Sequence, residues 1–335
     1  MTKKTGGPST YDVAKLAGVS QMTVSRVMSG KGYASENVVA RVQEAAGKLG
    51  YVPNRIAGAL AGKKAALVGV ILPAVSNVVF AEVLQGLNEG LAESGLKPVF
   101  GVSGYDQQEE ERLVRDMLSW QVSGLVLTGL EHTAATRAML ASHSTAVAEV
   151  IDVDGEPIAA CFGLSHAKAA TDMAQHLLTK GYRRFGYVGC NLERDLRAGK
   201  RRKAFVETVV AGGGEFVGEA CDDAPSSMLH GRVLTDRLMA AAERPEAIYF
   251  SNDDMAAGGL MYCLANGLRV PDDIALASFN GLEFLEALPL QITTSRSPRR
   301  KIGLLAGHYL ALRNDGKDAL DKVELSAELI SGQTS

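Results

Sequence analysis

Four side chains near the amino terminus have the types and spacing needed to read a DNA duplex. Gln21, Met22, Ser25 and Arg26 recur at helical spacing, so they share the outward face of one predicted helix. In a major groove, Gln and Arg can hydrogen bond to base edges, whereas Met can only contact a thymine methyl group or sense groove shape. The pattern therefore indicates contact with nucleic acid.

The element that must position these side chains is the run STYDVAKLAGVSQMTVSRVM, residues 9–28. Ser9 and Asp12 have the spacing of a capping box for a first helix, Ser20 can cap a second helix, and Gly18 supplies the turn between them. Apolar side chains from both helices are expected to close a small shared core: Val13, Leu16, Ala17, Val19, Val24 and Val27. Helical corners also occur in proteins that do not bind DNA, so the pattern alone leaves both interpretations open.

The distribution of charge favours the DNA interpretation. Residues 1–64 carry ten Lys and Arg against three Asp and Glu, whereas the whole chain has a formal net charge of −3. A basic amino-terminal segment on an acidic body suits a nucleic-acid contact made by one end of the molecule. A solubility tail is the alternative, but here the basic residues are interspersed with apolar residues at helical spacing.

Length and composition narrow the class of protein further. At 335 residues the chain is longer than one hydrophobic core usually supports, which predicts two or three domains. The cysteines have no CxxC spacing and are expected to be buried thiols in a reducing compartment: Cys161, Cys190, Cys221 and Cys263. The sequence has neither a signal-peptide pattern nor an apolar run long enough to span a bilayer, so we expect a cytoplasmic protein.

The rest of the amino-terminal region contains a third helix and a weak segment. Residues 1–8 are expected to be disordered. Ser35 to Gly50 is a predicted helix with apolar residues at helical spacing: Val38, Val42, Ala45 and Leu49. Residues 51–64 contain two glycines that weaken any short helix, so this segment is expected to be a linker or to fold only against a partner.

From Ala66 onward, predicted strands alternate with amphipathic helices. Strands are predicted at residues 67–73, 97–103, 124–128, 146–151, 184–189, near 216, 247–251 and 274–279. Helices are predicted at about 80–93, 108–119, 133–140, 165–180, 198–211, 227–242 and 254–266. Such alternation is typical of doubly wound parallel sheets, and the two series predict two lobes with a ligand cleft at the carboxyl ends of the strands.

Four runs in this order resemble the LacI/GalR family of bacterial transcription regulators: DVAKLAGVSQMTVSRVMSG, LGYVPNRIAGAL, SNDDMAAGGL and VPDDIALASFNG. The resemblance covers nearly the whole chain. It implies a small all-α helix-turn-helix domain over residues 9–52 and a hinge helix or linker over 53–64. Over 65–335 it implies an α/β periplasmic-binding-protein-like domain of two doubly wound parallel-sheet lobes, which binds effector and dimerises. The runs VFAEVLQGL, MLSWQVSGLVLT and SFNG are further similar to regulators of gluconate utilisation.

The resemblance implies a role for each residue at the DNA. Gln21, Met22 and Arg26 would contact bases in the major groove. Residues closer to the sugar-phosphate backbone would be Tyr11, Thr23 and Ser25, and Ser20 is a further residue expected at the DNA. In the hinge, which begins at Asn54, Leu60 would wedge between base pairs of the minor groove. Many family members have Arg where this chain has Gly58, and that departure weakens the hinge helix.

The resemblance also implies a set of effector-binding residues at or just beyond strand ends: Phe80, Asp152, Arg201, Asn252, Asp253 and Asn280. Each has a structural alternative. Phe80 could be core, Arg201 lies in a basic run typical of a solvated helix face, and Asn252 and Asp253 could cap the following helix.

The charge of the ligand can be inferred from two of these positions. Sugar-binding relatives often have Asp where this chain has Asn280, and loss of that carboxylate beside Arg201 favours an anion. We therefore expect a sugar acid such as gluconate as the effector, with a neutral sugar as the alternative.

The implied mechanism is a two-site switch. A homodimer would present two helix-turn-helix units to a near-palindromic double-stranded operator, and effector in the cleft would change the angle between lobes and thus hinge folding. The resemblance favours induction. A dimer is expected rather than a tetramer because no leucine heptads follow the predicted strand region at 323–330.

Two other classes of protein fit the sequence less well. A solute-binding protein shares the two-lobed architecture, but the basic head and the lack of a signal-peptide pattern argue against it. An enzyme is disfavoured because the sequence has no GxSxG, HExxH or GxxxxGK[ST] motif, and the six His lack metal-ligand spacing. No catalytic residue, metal or cofactor is therefore expected.

Overall fold

The computed structural model describes residues 7–29, 33–53 and 65–335. The chain forms two compact units, the first ending at Ala65 and the second beginning at Ala66. The predictions for residues 1–6 of the tail, and those for Asn54, Gly58 and Leu60 in the hinge, lie outside the described residues.

Three helices make up the described part of the first unit: α1 (Thr10–Ala17), α2 (Gln21–Ser29) and α3 (Glu36–Leu49). The predicted capping box is confirmed. The Ser9 hydroxyl accepts a hydrogen bond from the Asp12 N–H, and the Asp12 carboxylate accepts one from the Ser9 N–H at 2.9 Å. Gly18 ends α1 in the left-handed region at φ 64°, which glycine adopts without strain and which turns the chain into α2.

Small apolar side chains form the core of this unit: Val13, Ala14, Ala17, Val24, Val42, Ala45 and Ala46. The prediction for Leu16 was wrong, because this side chain is 53% exposed. The buried face of α1 is centred between Val13, Ala14 and Ala17, and Leu16 points about 100° away from that centre at helical periodicity.

The second unit begins with the repeating strand and helix pattern that the sequence predicts. Its first series is β1 (Ala65–Leu72), α4 (Val78–Gly90), β2 (Lys97–Val102), α5 (Gln107–Ser119), β3 (Val122–Thr128), α6 (Ala134–Ala141), β4 (Ala146–Asp152) and β5 (Ala160–Leu164). The second series is α7 (His166–Thr179), β6 (Arg184–Cys190), α8 (Leu196–Ala211), β7 (Glu215–Asp222), α9 (Met228–Met239), β8 (Ala247–Phe250), α10 (Asp253–Ala265) and β9 (Ala275–Asn280). The remaining elements are a short 3-10 helix (Glu283–Ala287), β10 (Thr293–Arg296), α11 (Arg299–Asn314), β11 (Lys322–Leu325) and β12 (Glu328–Ile330).

These elements form two six-stranded sheets, one in each lobe. The order is β11-β5-β4-β3-β1-β2 in lobe 1 and β12-β10-β9-β8-β6-β7 in lobe 2. The recorded pairings are parallel except for β12, which runs antiparallel to β10. The predicted doubly wound, two-lobed architecture is therefore confirmed.

The lobes are not consecutive halves of the chain, which the sequence did not reveal. The chain leaves lobe 1 after β5, returns from β10 through α11, and crosses again between β11 and β12. Helix α11 packs mainly on α4 of lobe 1. Three segments therefore connect the lobes: one after β5, one between β10 and α11, and one between β11 and β12. The cleft lies between the lobes, at the carboxyl ends of the strands.

Two further findings concern composition. All four cysteines are free thiols, but Cys221 is half-buried while the other three are buried as predicted. Within the described ranges, no helix combines the length and apolar character needed to cross a membrane.

Candidate functional site

Helix α2 presents the predicted DNA-reading face to solvent. Gln21, Met22, Ser25 and Arg26 are exposed, Met22 at 72%, while Val24 on the opposite side is fully buried. The helix is therefore anchored by its apolar side, and its polar side is free to approach a groove edge.

Ser20 and Thr23 hold the start of α2. The Ser20 hydroxyl accepts a hydrogen bond from the Thr23 N–H at 3.2 Å and shares a second one with the Thr23 hydroxyl at 2.9 Å. This arrangement confirms Ser20 as the cap. Tyr11, on α1, is 56% exposed and is available for contact with a phosphate backbone.

Arg41 supports the turn between α1 and α2, a role that the sequence analysis missed. Its guanidinium on α3 donates hydrogen bonds to the carbonyl oxygens of Ala17 and Gly18. These carbonyls lie at the end of α1, where backbone acceptors lack helical partners. Arg41 therefore fixes the angle at which α2 leaves the turn.

In the second unit, Arg201 is the buried cation at the centre of the cleft side of lobe 2. It projects from α8 and is 5% exposed. Its Nη1 donates to His166 Nδ1 at 2.8 Å, its Nη2 donates to the Ser251 carbonyl at 3.0 Å, and its Cζ lies 4.1 Å from the centre of the Phe279 ring. In the part of the chain that the structure describes, no carboxylate lies within ion-pair distance of Arg201.

His166 orients Arg201 as a neutral acceptor. Burial and the positive charge of Arg201 hold the pKa of His166 well below its ordinary value. Because Nδ1 accepts from Arg201, the proton of the neutral ring lies on Nε2. A hydrogen bond with the backbone of Ile151 favours the charged ring but does not outweigh these effects.

Several buried polar atoms near Arg201 lack partners within the described ranges. They are Arg201 Nε, the Ser251 hydroxyl and the hydroxyls of Tyr187 and Tyr249. The charge of Arg201 acts on both tyrosines, although burial dominates and raises the pKa of Tyr249 to about 12. Buried polar groups without partners are rare in folded proteins, so this cluster is suited to a polar ligand.

Lys200, the neighbour of Arg201 on α8, crosses the cleft to lobe 1. Its Nζ lies 2.5 Å from an oxygen of Asp152 at the end of β4 and 2.5 Å from an oxygen of Glu131. Burial opposes the charge on Lys200, but the hydrogen bonds to these carboxylates raise its pKa. The carboxylate of Asp152 is therefore already paired with a cation of this chain, which it shares with Glu131.

Arg197, one turn earlier on α8, makes the second link to lobe 1. It donates to the carbonyl oxygen of Thr128 at 3.4 Å and pairs with Asp195 at 3.3 Å. Its guanidinium also approaches the Tyr105 ring, at 6.0 Å. A pocket between the lobes is lined here by residues that include Pro73, Ser103, Tyr105, Thr128, Glu131 and Arg197.

The structure places the six predicted effector residues differently. Arg201 lies in the cleft. Asp152 accepts a hydrogen bond from Lys200, the residue before Arg201 on α8. Asn280 follows Phe279, whose ring lies against the Arg201 guanidinium. Phe80 is 3% exposed and packs in the hydrophobic core, which is the alternative that its residue type favoured.

Asn252 and Asp253 have structural partners in lobe 2. Asn252 caps α10 by accepting from the Met255 N–H at 3.1 Å and donates to the Ser226 hydroxyl. Asp253 has no exposed surface and accepts hydrogen bonds from Ser278, Thr294 and the backbone N–H of Leu282. Burial raises the pKa of Asp253 to about 6 against these hydrogen bonds. Asn252 thus caps α10 as the capping alternative predicted, whereas Asp253 does not cap this helix and instead joins it to β9, β10 and the loop after β9.

The sequence offered uneven signals for the cleft residues that it missed. Arg197 was missed although it lies four residues before the predicted Arg201, so one helix face buries both, and that spacing is readable in the run RAGKRRK. His166 gave no such signal, because it follows β5, a strand that was not predicted.

Comparison with known proteins agrees with this geometry. Residues 9–54 match the family model for bacterial regulatory proteins of the lacI family, and residues 174–335 match the model for a periplasmic binding protein-like domain. The HTH-type transcriptional regulator GntR of Pseudomonas aeruginosa is 34% identical over 100% of this chain and 97% of its own length.

Solved structures give the same result. A LacI-family transcriptional regulator from Silicibacter pomeroyi is 41% identical, with a TM-score of 0.93 over 98% of this chain and 99% of that one. The transcription regulator GntR from Chromobacterium violaceum is 32% identical, with a TM-score of 0.75 over 80% of this chain and 99% of that one.

Proposed function

This chain belongs to the LacI family of bacterial regulatory proteins, and we propose that its effector is a sugar acid of the gluconate type. It is a DNA-binding transcriptional regulator and not an enzyme. The proposal concerns what the cleft binds, how the DNA is read, and how copies of the chain assemble.

The observation that carries the effector proposal is the buried, unpaired charge of Arg201. Lys200 and Arg197 each have a carboxylate partner, whereas among the described residues Arg201 contacts a neutral imidazole, a carbonyl oxygen and an aromatic face. A buried cation without a counter-ion is costly, and an anionic ligand would remove that cost. A neutral sugar would leave the charge uncompensated.

The surrounding groups favour a polyhydroxylated acid over a simple anion. Arg201 Nε is a donor without a partner in the described part of the chain, and the Ser251 hydroxyl can donate or accept. A carboxylate would take the donors, while sugar hydroxyls could pair with Ser251 and the tyrosine hydroxyls. The amide of Asn280, in place of an acid, adds no negative charge to repel the ligand.

Calorimetry with D-gluconate and D-glucose tests the effector proposal. We expect D-gluconate to bind and D-glucose to bind at least about tenfold more weakly, because one charge-assisted contact is worth about 1.5–3 kcal/mol. Arg201→Met should lose gluconate binding. Arg202→Gln is the matched control, since Arg202 is adjacent on α8 but pairs with Glu219. Tight binding of D-glucose with none of D-gluconate would contradict the proposal.

At the DNA, we assign base contacts to Gln21, Met22 and Arg26. Their shared exposure on α2 supports this assignment, as does the exposed Tyr11 for backbone contact along with Ser20, Thr23 and Ser25. The roles of Asn54 and Leu60 in the hinge stay predictions, because these residues lie outside the described ranges.

A homodimer is the assembly that fits this function, because one helix-turn-helix unit contacts too little DNA for tight specific binding. Exposed apolar side chains support it. On lobe 1 they lie on the outermost strand β2 and beside the start of α4: Val75, Val78, Phe100 and Val102. On lobe 2 they lie on α9: Met228, Leu229 and Val233.

Sedimentation velocity tests the dimer. We expect the wild-type chain to sediment as a dimer and Phe100→Glu to weaken that dimer at least about tenfold, because a charge would be buried in an apolar interface. Trp120→Glu is the control, since Trp120 is 49% exposed but lies outside both patches. A wild-type monomer at micromolar concentration would contradict the assembly without touching the effector proposal.

A further inference from the structure

Arg299 joins the two lobes at the level of the cleft. It is the first residue of α11, just after the chain leaves lobe 2, and is 4% exposed. Its Nη1 donates to the carbonyl oxygen of Asn280 at the end of β9 in lobe 2. Its Nε and Nη2 donate to the two carboxylate oxygens of Glu82 on α4 of lobe 1, at 3.0 and 2.9 Å.

This arrangement is rigid at both of its ends. The paired bonds to Glu82 use the planar fork of the guanidinium, a geometry that Lys cannot reproduce. Asn280 is held at φ 125°, in the left-handed half of backbone space, and its carbonyl also accepts from the Ser297 N–H at 3.0 Å. Any displacement of the Asn280 carbonyl therefore changes its hydrogen bond with Arg299.

Helices α4 and α11 must move together along the turns that follow Glu82 and Arg299. The two helices cross with their backbones touching, since a Cβ added at Gly86 would lie 1.9 Å from the Arg300 carbonyl oxygen and one at Gly303 would lie 1.9 Å from the Val83 carbonyl oxygen. Such close packing leaves no room for one helix to slide independently of the other.

The cleft connects to this arrangement through one peptide. Phe279, which precedes Asn280, has its ring against both the Arg201 guanidinium and the His166 imidazole, whose ring centre lies 5.4 Å away. An anion that binds Arg201 changes the balance of forces on the Phe279 ring. That change is applied one residue from the carbonyl that Arg299 holds.

We propose that Arg299 is a positioning residue that transmits effector binding from the end of β9 to helix α4, and so couples the cleft to DNA affinity. The inference rests on the proposed effector function. It assigns to Arg299 no contact with effector or DNA, so its loss should uncouple two sites that each still bind.

The neighbouring residue provides a matched control. Arg300 also reaches from α11 to α4, where it makes paired bonds to Glu89 at 2.7 to 3.1 Å. Its side chain is 61% exposed, however, and its recorded bonds do not include Asn280. A substitution at Arg300 thus tests whether any ion pair between these helices would have the same effect.

The DNA for this experiment is an operator sequence selected for binding by the wild-type protein. For each variant, the coupling ratio is the Kd for this DNA in the presence of D-gluconate divided by the Kd in its absence. For Arg299→Lys we expect this ratio to fall about fivefold or more, from a wild-type value within the usual range of about 5 to 150. The Kd for D-gluconate alone should change less than about threefold, and Arg300→Lys should keep the ratio within about twofold of wild type.

Glu82→Gln is the second variant, and it carries the test if Arg299→Lys does not fold. It should lose coupling to a similar extent, and the double variant should lose no more than either single variant, because both act through one contact. An unchanged ratio in Arg299→Lys, or an equal loss in Arg300→Lys, would overturn the inference. A wild-type protein that binds no D-gluconate would instead overturn the proposed function, and this inference with it.

Discussion

The carboxylate of Asp253 lies 2.6 Å from the backbone nitrogen of Leu282, at a place where Asp253 has no exposed surface. Ser278 and Thr294 donate to its other oxygen, so three hydrogen bonds join α10, β9, β10 and the loop after β9. This loop begins directly after Asn280. Asp253 therefore fixes the positions of β9, β10 and the loop after β9, which lie next to the candidate effector site.

Replacing Asp253 by Asn should destabilise the protein by about 1–3 kcal/mol, because an amide cannot accept all three bonds and leaves a buried donor unsatisfied. Urea unfolding followed by circular dichroism measures the loss. Asp272→Asn is the control, since the Asp272 side chain is 65% exposed and should contribute less than about 0.5 kcal/mol. Equal midpoints for Asp253→Asn and wild type would contradict the structural role.

The stability of the protein should fall on the alkaline side because of His132. Burial opposes its charge, but the hydrogen bond to Glu110 and the ion pair with Glu149, whose oxygen lies 3.3 Å from Nε2, prevail and raise the pKa of His132 to about 9. Since the folded pKa lies above the unfolded value of 6.5, the stabilisation is complete below pH 6.5 and is lost as pH rises through 9. It amounts to about 3 kcal/mol.

Urea midpoints measured from pH 6 to pH 10 check the expectation for His132. The His132→Gln variant should show a flatter profile than wild type across this window. His143→Gln removes an exposed histidine and should follow the wild-type profile. A wild-type profile that does not fall between pH 6.5 and 9 would mean that His132 is neutral in its carboxylate pair.

Arg26→Ala should remove most of the preference for operator over random DNA while leaving D-gluconate affinity unchanged. A bidentate contact to a base discriminates by about 1–3 kcal/mol, whereas non-specific affinity comes from phosphates. Competition titrations with both DNAs measure the preference. Lys48→Ala removes an exposed positive charge from α3 in the same unit and should keep the preference. Loss of gluconate binding in Arg26→Ala would mean that the two activities are not separable.

Leu60→Ala should spare non-specific binding but abolish operator bending, because an alanine is too short to unstack a base step. Gel mobility of DNA with the operator at its centre or its end reports the bend. Val52→Ala, at an 82% exposed position before the hinge, is the control and should bend DNA as wild type does. Full bending of the operator by Leu60→Ala would contradict the prediction that Leu60 inserts between base pairs.

Local patterns in the sequence predicted the local structure well. The capping box of Ser9 and Asp12, the left-handed Gly18 and most alternating strands and helices depend on residues within a few positions of each other. The prediction for Leu16 was wrong because this side chain lies about 100° from the face that α1 buries.

The contacts that the sequence could not predict join residues far apart in the chain. Arg299 pairs with Glu82 across 217 positions, and the Thr294 partner of Asp253 lies 41 positions away. Helix α11 and strands β5 and β10 were not predicted, and these elements carry the chain back from lobe 2 to lobe 1. Only the assembled sheets reveal which polar residues surround Arg201.

The most direct test of the account is the affinity of the wild-type protein and of Arg201→Met for selected operator DNA, measured by fluorescence anisotropy with and without D-gluconate. We expect D-gluconate to raise the wild-type Kd for operator about fivefold or more and to leave that of Arg201→Met unchanged. An equal response in both proteins, or no response in the wild type, would contradict control of the DNA-binding unit through an anion at Arg201.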